Sequence, residues 1–324
     1  MIVSKMKPPY EITTEIIKQI ISISEKIGEI NAKYLNRQSP QLRKQNKVKT
    51  IHSSLQIEGN TLTEQQITAI IENKRVLGPA KDILEVKNAL DVYDKLSTFD
   101  PLKEKHFLSA HKILMKDLIP NAGNYRNKSV GIVKGSKVEH IAPPFENVPF
   151  LMKDLFDYLK KDQDVALIKS CVFHYEMEFI HPFMDGNGRM GRLWQTVILM
   201  KKYPVFEFLP FETLISQNQE EYYKALAASD NQGKSTIFIE YMLNIINQSL
   251  ATLLDCKNQY LKDTDRLAYF ISNGKTVFTR KDYMTLFKDI SSATASRDLR
   301  KGIESGLLAK SGDKILTIYK VLEK

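Results

Sequence analysis

The chain is poor in cysteine: 324 residues hold two, Cys171 and Cys256. They stand far apart in apolar helical contexts, which excludes a disulfide framework and a cysteine-ligated metal cluster. Both read as buried thiols of a reducing compartment, so a cytoplasmic location is expected. No apolar run approaches the ~18–20 residues of a membrane span, and the first residues lack the charged-then-apolar pattern of a signal peptide. No membrane partner is therefore expected. Internal repeats and low-complexity tracts are also missing.

What is present is an ordinary globular composition, 43% hydrophobic and 26% charged, with enough length for two or three domains. The net charge of +9 suits a nucleotide, an acidic partner or nucleic acid without choosing among them. Apolar spacing is mostly helical. Ile16, Ile17, Ile20, Ile23, Ile27 and Ile30 predict one long helix from Ile12 to Tyr34. The basic stretch from Leu42 to Val48 leads into a helix carrying Ser54 and Glu58. Thr63 and Gln66 form a capping box that starts another helix. Further helices are expected over 81–96, 103–115, 148–161, 165–180, 219–228 and 235–254.

One stretch concentrates chemistry. His181-Pro182-Phe183-Met184-Asp185-Gly186-Asn187-Gly188-Arg189-Met190-Gly191-Arg192 runs into the apolar Leu193-Trp194 and Val197-Ile198-Leu199-Met200, a tight loop feeding a helix. A helix start offers unpaired N–H groups and the positive end of the macrodipole to an anion. Gly186 and Gly188 let successive amides point into one concavity. Arg189 and Arg192, three apart, share a face and can fork onto phosphate oxygens. Asp185 is a carboxylate suited to Mg2+, which takes one or two carboxylates plus phosphate oxygens. His181 is the proton acceptor of the segment that titrates near neutrality. A surface loop with solvated arginines would explain any one of these residues, but not all of them together.

These residues resemble the signature of the Fic family, His-Pro-Phe-x-Asp/Glu-Gly-Asn-Gly-Arg-x-x-Arg, at every specified position. The resemblance implies a nucleotidyltransferase that moves AMP from ATP to a hydroxyl of a protein substrate (Ser, Thr or Tyr), with self-modification included. It implies His181 as the catalytic base and Asp185 as the Mg2+ ligand. Asn187 and the amides around Gly186 and Gly188 would bind phosphates, with Gly191 in the same segment and Arg189 and Arg192 at the β/γ end. Tyr222, Tyr223 and Asn231 fall where similar proteins contact adenine.

Ser54-Leu55-Gln56-Ile57-Glu58-Gly59-Asn60 resembles the family's inhibitory motif. Ser54 and Glu58 share a helix face, and Gly59 is a natural stop. In similar proteins this glutamate pairs with the second motif arginine, here Arg192, and so blocks productive ATP binding. Two other readings stay open: a hydrolase in which Glu58 orients water to remove AMP from a modified target, and a DNA-binding regulator whose core senses nucleotide.

Between the motifs, Gly123-Asn124-Tyr125-Arg126 opens a Val- and Gly-rich segment that runs to Pro143-Pro144. Alternating apolar residues predict a hairpin. The resemblance makes it a flap, with Val138, Glu139, His140 and Ile141 docking the target by strand pairing.

From Asp265 the pattern changes to helix, strand, helix and terminal hairpin, resembling a winged helix-turn-helix with Ser291–Ser305 as its recognition helix. Arg297, Arg300 and Lys301 would face DNA. They are few and interrupted by Asp298 and Glu304, which favours dimerisation or target docking over DNA contact by residues 264–324. No heptad or obvious patch marks a homodimer interface. The expected fold is mainly α. Residues 1–100 form a helical region with the inhibitory helix at about 50–60, residues 101–255 an all-helical Fic core with its β-hairpin flap, and residues 264–324 the winged-helix-like domain.

Two decoys are set aside. Ala228-Ser229-Asp230-Asn231-Gln232-Gly233-Lys234-Ser235 fits a loose P-loop pattern, but it follows a helix rather than a strand. His106 and His111 are five apart and do not share a face as helical metal ligands would. His174, two turns before His181, reads as a packed histidine.

Overall fold

Apolar residues at helical spacing become helices along most of the chain. The computed structural model describes residues 7–32, 40–134, 137–259, 263–272, 275–287, 290–312 and 317–322. The chain divides into two compact units: Met1–Asn36 with Gln45–Ala251, and Arg37–Lys44 with Thr252–Lys324.

In the larger unit, α1 (Thr14–Ala32) buries Ile16, Ile23, Ile27 and Ile30 and leaves Ile17 and Ile21 exposed. The basic stretch and the Ser54–Glu58 segment join into a single helix, α2 (Pro40–Ile57). Its end is a Schellman motif. Asn60 N–H donates to Leu55 O and Gly59 N–H to Gln56 O, with Gly59 at φ 88°. Glycine adopts that left-handed geometry without a Cβ penalty, so the sequence itself fixes where Glu58 stands on the last turn. Next come α3 (Glu64–Ile71), whose Thr63–Gln66 capping box forms as expected, α4 (Ala80–Tyr93) and α5 (Glu104–Leu114).

The hairpin follows as β1 (Gly131–Lys134) and β2 (Lys137–Ile141), antiparallel, pairing Ile132 with His140 and Val133 with Val138. The register shifts between Ile132 and Val133, leaving Glu139 as the extra residue of a bulge.

α6 (Val148–Lys161) leads to the central pair, α7 (Ala166–Ile180) and α8 (Asn187–Lys202). Both are buried along most of their length, their apolar residues interleaved with buried polar ones such as His174, Arg192 and Gln195. Around them, Phe107 meets Phe156, Phe173, Phe183 and Trp194 at ring centroid distances of 5.2 to 5.9 Å. This aromatic cluster supports the Phe183 end of the motif loop.

α9 (Glu212–Gln217), which sequence spacing does not announce, precedes α10 (Gln219–Gln232) and α11 (Thr236–Gln259). By length and composition Thr236–Leu254 could cross a membrane, contrary to the expectation that no run reaches that limit. Phe238, Ile239, Met242, Leu243, Ile246 and Leu250 are fully buried within this fold, as in the core helix of a globular unit. The P-loop-like segment is the turn between these helices. Gly233 caps α10, Ser235 N–H donates to Pro9 O, and Lys234 pairs with Glu11.

The smaller unit contains α12 (Asp263–Ser272), β3 (Val277–Phe278), α13 (Arg280–Leu286), α14 (Ser292–Glu304), β4 (Leu308–Ser311) and β5 (Ile318–Val321). The strands form an antiparallel sheet of order β3-β5-β4. Leu267, Phe270, Phe278, Tyr283, Leu299 and Tyr319 fill its own core. Asp298 turns inward, held by two bonds from Arg266 (2.6 and 2.8 Å) and one from Tyr283 Oη (3.1 Å).

Candidate active site

The loop between α7 and α8 is locked from within. Phe183 N–H donates to Asn187 Oδ1 (2.9 Å), and Asn187 Nδ2 donates to Phe183 O (3.0 Å). Asn187 thus spends its carboxamide on loop geometry, which leaves the first amides of α8 to face an anion. Gly186 caps α8 at φ 87°, and its N–H donates to Asp185 Oδ1 (2.6 Å).

His181 caps α7 with φ 51°, a left-handed conformation uncommon outside glycine. Arg126 holds it there. Its Nε donates to His181 O (2.8 Å), its Nη1 to Lys128 O (2.9 Å), and its Nη2 to Pro143 O and Ile180 O. Its own N–H donates to Pro182 O (2.8 Å). One buried guanidinium therefore joins the motif loop to the base of the hairpin.

His111 acts from the other side. Gly123 N–H donates to its Nδ1 (2.8 Å), so Nε2 carries the proton and donates to Asp185 O (3.0 Å). The ring stacks on Phe183 at 3.5 Å. Burial pulls its pKa down to about 4, so it is a neutral scaffold group. In the sequence His111 stands too far from His106 along the helix to share a metal with it, and nothing there marks it as a scaffold group beyond its place on the apolar face of a helix.

Both motif arginines are buried and engaged. Arg189 donates to Glu85 Oε1 (3.0 Å) and Asp185 Oδ1 (2.9 Å). Arg192, wholly inaccessible to solvent, donates to Ser54 Oγ (3.1 Å), Ser54 O (2.9 Å) and Glu58 Oε1 (2.7 Å). Burial alone would depress this guanidinium. The Glu58 carboxylate beside it, together with Tyr222 and Glu178 nearby, outweighs that and holds it above its ordinary value. The Glu58 oxygen presses so closely on Gly188 that a side chain at 188 would collide with it. The structure thus brings Glu58, Gly188 and Arg192 together at the start of α8.

Four of the expected residues, Gly191, Tyr222, Tyr223 and Asn231, lie deeper or further out. A side chain at Gly191 would meet His174 and Glu178, so this glycine permits the close packing of α7 on α8. Tyr222 is buried, its Oη donating to His174 Nε2 (3.0 Å), while His174 Nδ1 donates to Gln195 Oε1 (2.7 Å). Tyr222 therefore packs within the core. Tyr223 is more open and accepts from Gln219 Nε2, and Asn231 is exposed near the end of α10. Val138, Glu139, His140 and Ile141 lie on β2, in an antiparallel sheet of two strands.

The Fic/DOC family pattern matches residues 101–199. A crystal structure of a Fic family protein from Desulfovibrio desulfuricans G20 is 38% identical, with a TM-score of 0.76 over 98% of this chain and 99% of that one. The chain belongs to the Fic family, and its helical core is the Fic fold. Fic-1 from C. elegans shares the fold at 23% identity and a TM-score of 0.62, covering 75% of this chain and 73% of that one. A relative from Nematostella vectensis, named protein adenylyltransferase Fic, is 29% identical over 216 residues, 63% of this chain and 48% of that protein. The chain spans about half the length of this relative, and 38% of a Caenorhabditis briggsae relative of similar name.

Proposed function

We propose that this protein is an autoinhibited adenylyltransferase that moves AMP from ATP to a Ser, Thr or Tyr hydroxyl of a protein, its own chain included. The observation that carries this reading is the Glu58–Arg192 ion pair at 2.7 Å over Gly188. A carboxylate there occupies ground that a terminal phosphate would need, and it takes the arginine that would bind it. The names of the relatives support the transferase activity.

In turnover, His181 takes the proton of the target hydroxyl. The hydroxyl oxygen bonds to the α-phosphorus, the bond from that phosphorus to the bridging oxygen breaks, and pyrophosphate leaves. The amides at the start of α8 and Arg189 hold the phosphates, and Arg192 joins them once Glu58 withdraws. Among the described residues no three His, Cys, Asp or Glu lie together as a metal cage. The half-exposed Asp185 would instead hold a Mg2+ ion arriving with the nucleotide, as a carboxylate does beside phosphate oxygens. Such an ion neutralises phosphate charge. The hairpin edge suits docking of a target through main-chain bonds.

Incubation with labelled ATP and Mg2+ tests the reading. Glu58→Gly is expected to raise self-labelling at least tenfold, and His181→Ala in that background to abolish it. A mass gain equal to AMP identifies the donor. Equal labelling by the two variants overturns the assignment.

A second reading, for the smaller unit, is contact with duplex DNA. It is favoured by one observation: Asp298, which interrupts the basic residues in sequence, faces Arg266 in the interior. The outer face of α14 therefore carries Arg297, Arg300 and Lys301 against Glu304 alone. Fluorescence anisotropy of the full chain with a labelled duplex should show binding at 50 mM salt that falls steeply by 200 mM. Arg297→Glu with Arg300→Glu should remove it. No binding at low salt excludes DNA as a partner.

A further inference from the structure

Glu85 lies outside both recognised motifs, yet its two carboxylate oxygens reach into each of them. Oε1 accepts from Arg189 Nη1 at 3.0 Å, and Oε2 accepts from Asn60 Nδ2 at 2.8 Å. The side chain is almost fully buried, with the guanidinium of Arg189 as its buried ion partner. Lys81, on the solvent side, stands 3.9 Å away. Asn60 is the residue that closes α2. Its N–H completes the Schellman motif on Leu55 O, its Oδ1 accepts from Leu62 N–H (3.1 Å), and its Nδ2 also donates to Asp82 O (3.2 Å). Two residues earlier stands Glu58, on Arg192.

We propose that Glu85 is a positioning residue that ties the end of α2, through Asn60, to Arg189 of α8, so that Glu58 is held on Arg192 from two sides. The inference rests on the reading of Glu58 as an inhibitor. Its physical basis is the economy of the contact. Arg189 and Arg192 are three residues apart on α8 and share one face. Glu58 grips the second arginine directly, and Glu85 grips the first while holding the residue that fixes the helix end. Withdrawal of Glu58 by a shift of the last turn of α2 breaks a buried, charge-assisted hydrogen bond from Asn60 as well as the ion pair. The same carboxylate aligns Arg189 beside Asp185, where nucleotide phosphates would arrive. Release of the inhibitor and freedom of Arg189 are thereby coupled through one side chain on α4.

An exchange of acid and amide tests this. Asn60→Asp is isosteric, keeps the acceptor for Leu62 N–H, and sets a second carboxylate against Glu85. Self-labelling of the full chain with ATP and Mg2+ is expected to rise about tenfold with Glu58 in place, the size of one lost charge-assisted bond. Combining Asn60→Asp with Glu85→Gln restores a donor between the two positions and an acceptor for Arg189, and should return labelling to within about twofold of wild type. A merely structural role would make the double variant worse than either single one. In the Glu58→Gly background, Asn60→Asp should add less than about twofold, since nothing is left to release. Hydrogen exchange gives a readout independent of activity: the Gly59 and Asn60 amides should exchange faster in Asn60→Asp and recover in the double variant. Wild-type labelling and exchange in Asn60→Asp, or no recovery in the double variant, overturns the latch. If Glu58→Gly fails to label while exchange behaves as stated, the transferase reading falls and the latch stands.

Discussion

Glu58 Oε1 lies so close to Gly188 that the two positions cannot both carry bulk toward each other. Gly188→Ala should therefore push Glu58 away without activating the protein, because the new methyl would fill the cradle proposed for phosphate. In a Glu58→Gly background, Gly188→Ala should cut self-labelling on the order of 100-fold, as small displacements of reacting groups do. Initial rates with labelled ATP check this, and unchanged labelling would show that phosphate does not use this concavity.

Ser54 supports the same guanidinium through its hydroxyl. Ser54→Ala removes one hydrogen bond to Arg192 and leaves the ion pair, so the expected gain is about fivefold, consistent with roughly 1 kcal/mol. Glu58→Gly should exceed it clearly. A Ser54→Ala gain as large as that of Glu58→Gly would make the hydroxyl, not the carboxylate, the principal restraint.

Arg126 holds four carbonyl oxygens that a lysine cannot span. Arg126→Lys should cost about 2–4 kcal/mol in urea unfolding, the range for broken buried networks. Activity in the Glu58→Gly background should fall further than that destabilisation explains, because His181 loses its anchor. A variant with wild-type kcat at permissive temperature would detach Arg126 from catalysis.

Stability should peak between mildly acidic and neutral pH. His111 and His174 are buried as neutral rings with pKa values lowered to about 4 and about 3, in each case by burial first. A histidine whose folded pKa is depressed binds fewer protons than in the unfolded chain, so its contribution is present above about 6.5 and is lost as pH falls toward 4. From pH 6.5 to 5 each costs about 2 kcal/mol by this linkage. Glu212 acts in the opposite sense. Burial raises its pKa to about 8, so it folds protonated, and stability is lost as pH rises from the ordinary carboxylate range toward 8. Urea midpoints from pH 5 to 8 check both limbs. Glu212→Gln should flatten the alkaline limb only, and His111→Gln should soften the acid one.

Much of the site could be read from the residues alone. The motif from His181 to Arg192 is contiguous, so its loop, its helix start and its arginine spacing are local matters. The α2 terminus is likewise local, because Gly59 and Asn60 supply the Schellman geometry that sets Glu58 on the last turn. Helices 148–161 and 165–180 were legible for the same reason, a continuous period. α9 was not, because six residues give too little period to read. Arg126 and His111 bond to backbone carbonyls and amides, which leave no trace in side-chain pattern.

The sequence by itself determined which groups this protein carries and in what local order: base, carboxylate, glycine cradle, paired arginines, and a glutamate on a capped helix end. Only the tertiary structure decided which of them meet. Glu58 and Arg192 are 134 positions apart, and Glu85 lies 104 from Arg189. No spacing rule reaches across such separations. They are brought together because α2, α4 and α8 bury their apolar faces in one core, and buried charges must then find partners within hydrogen-bond reach.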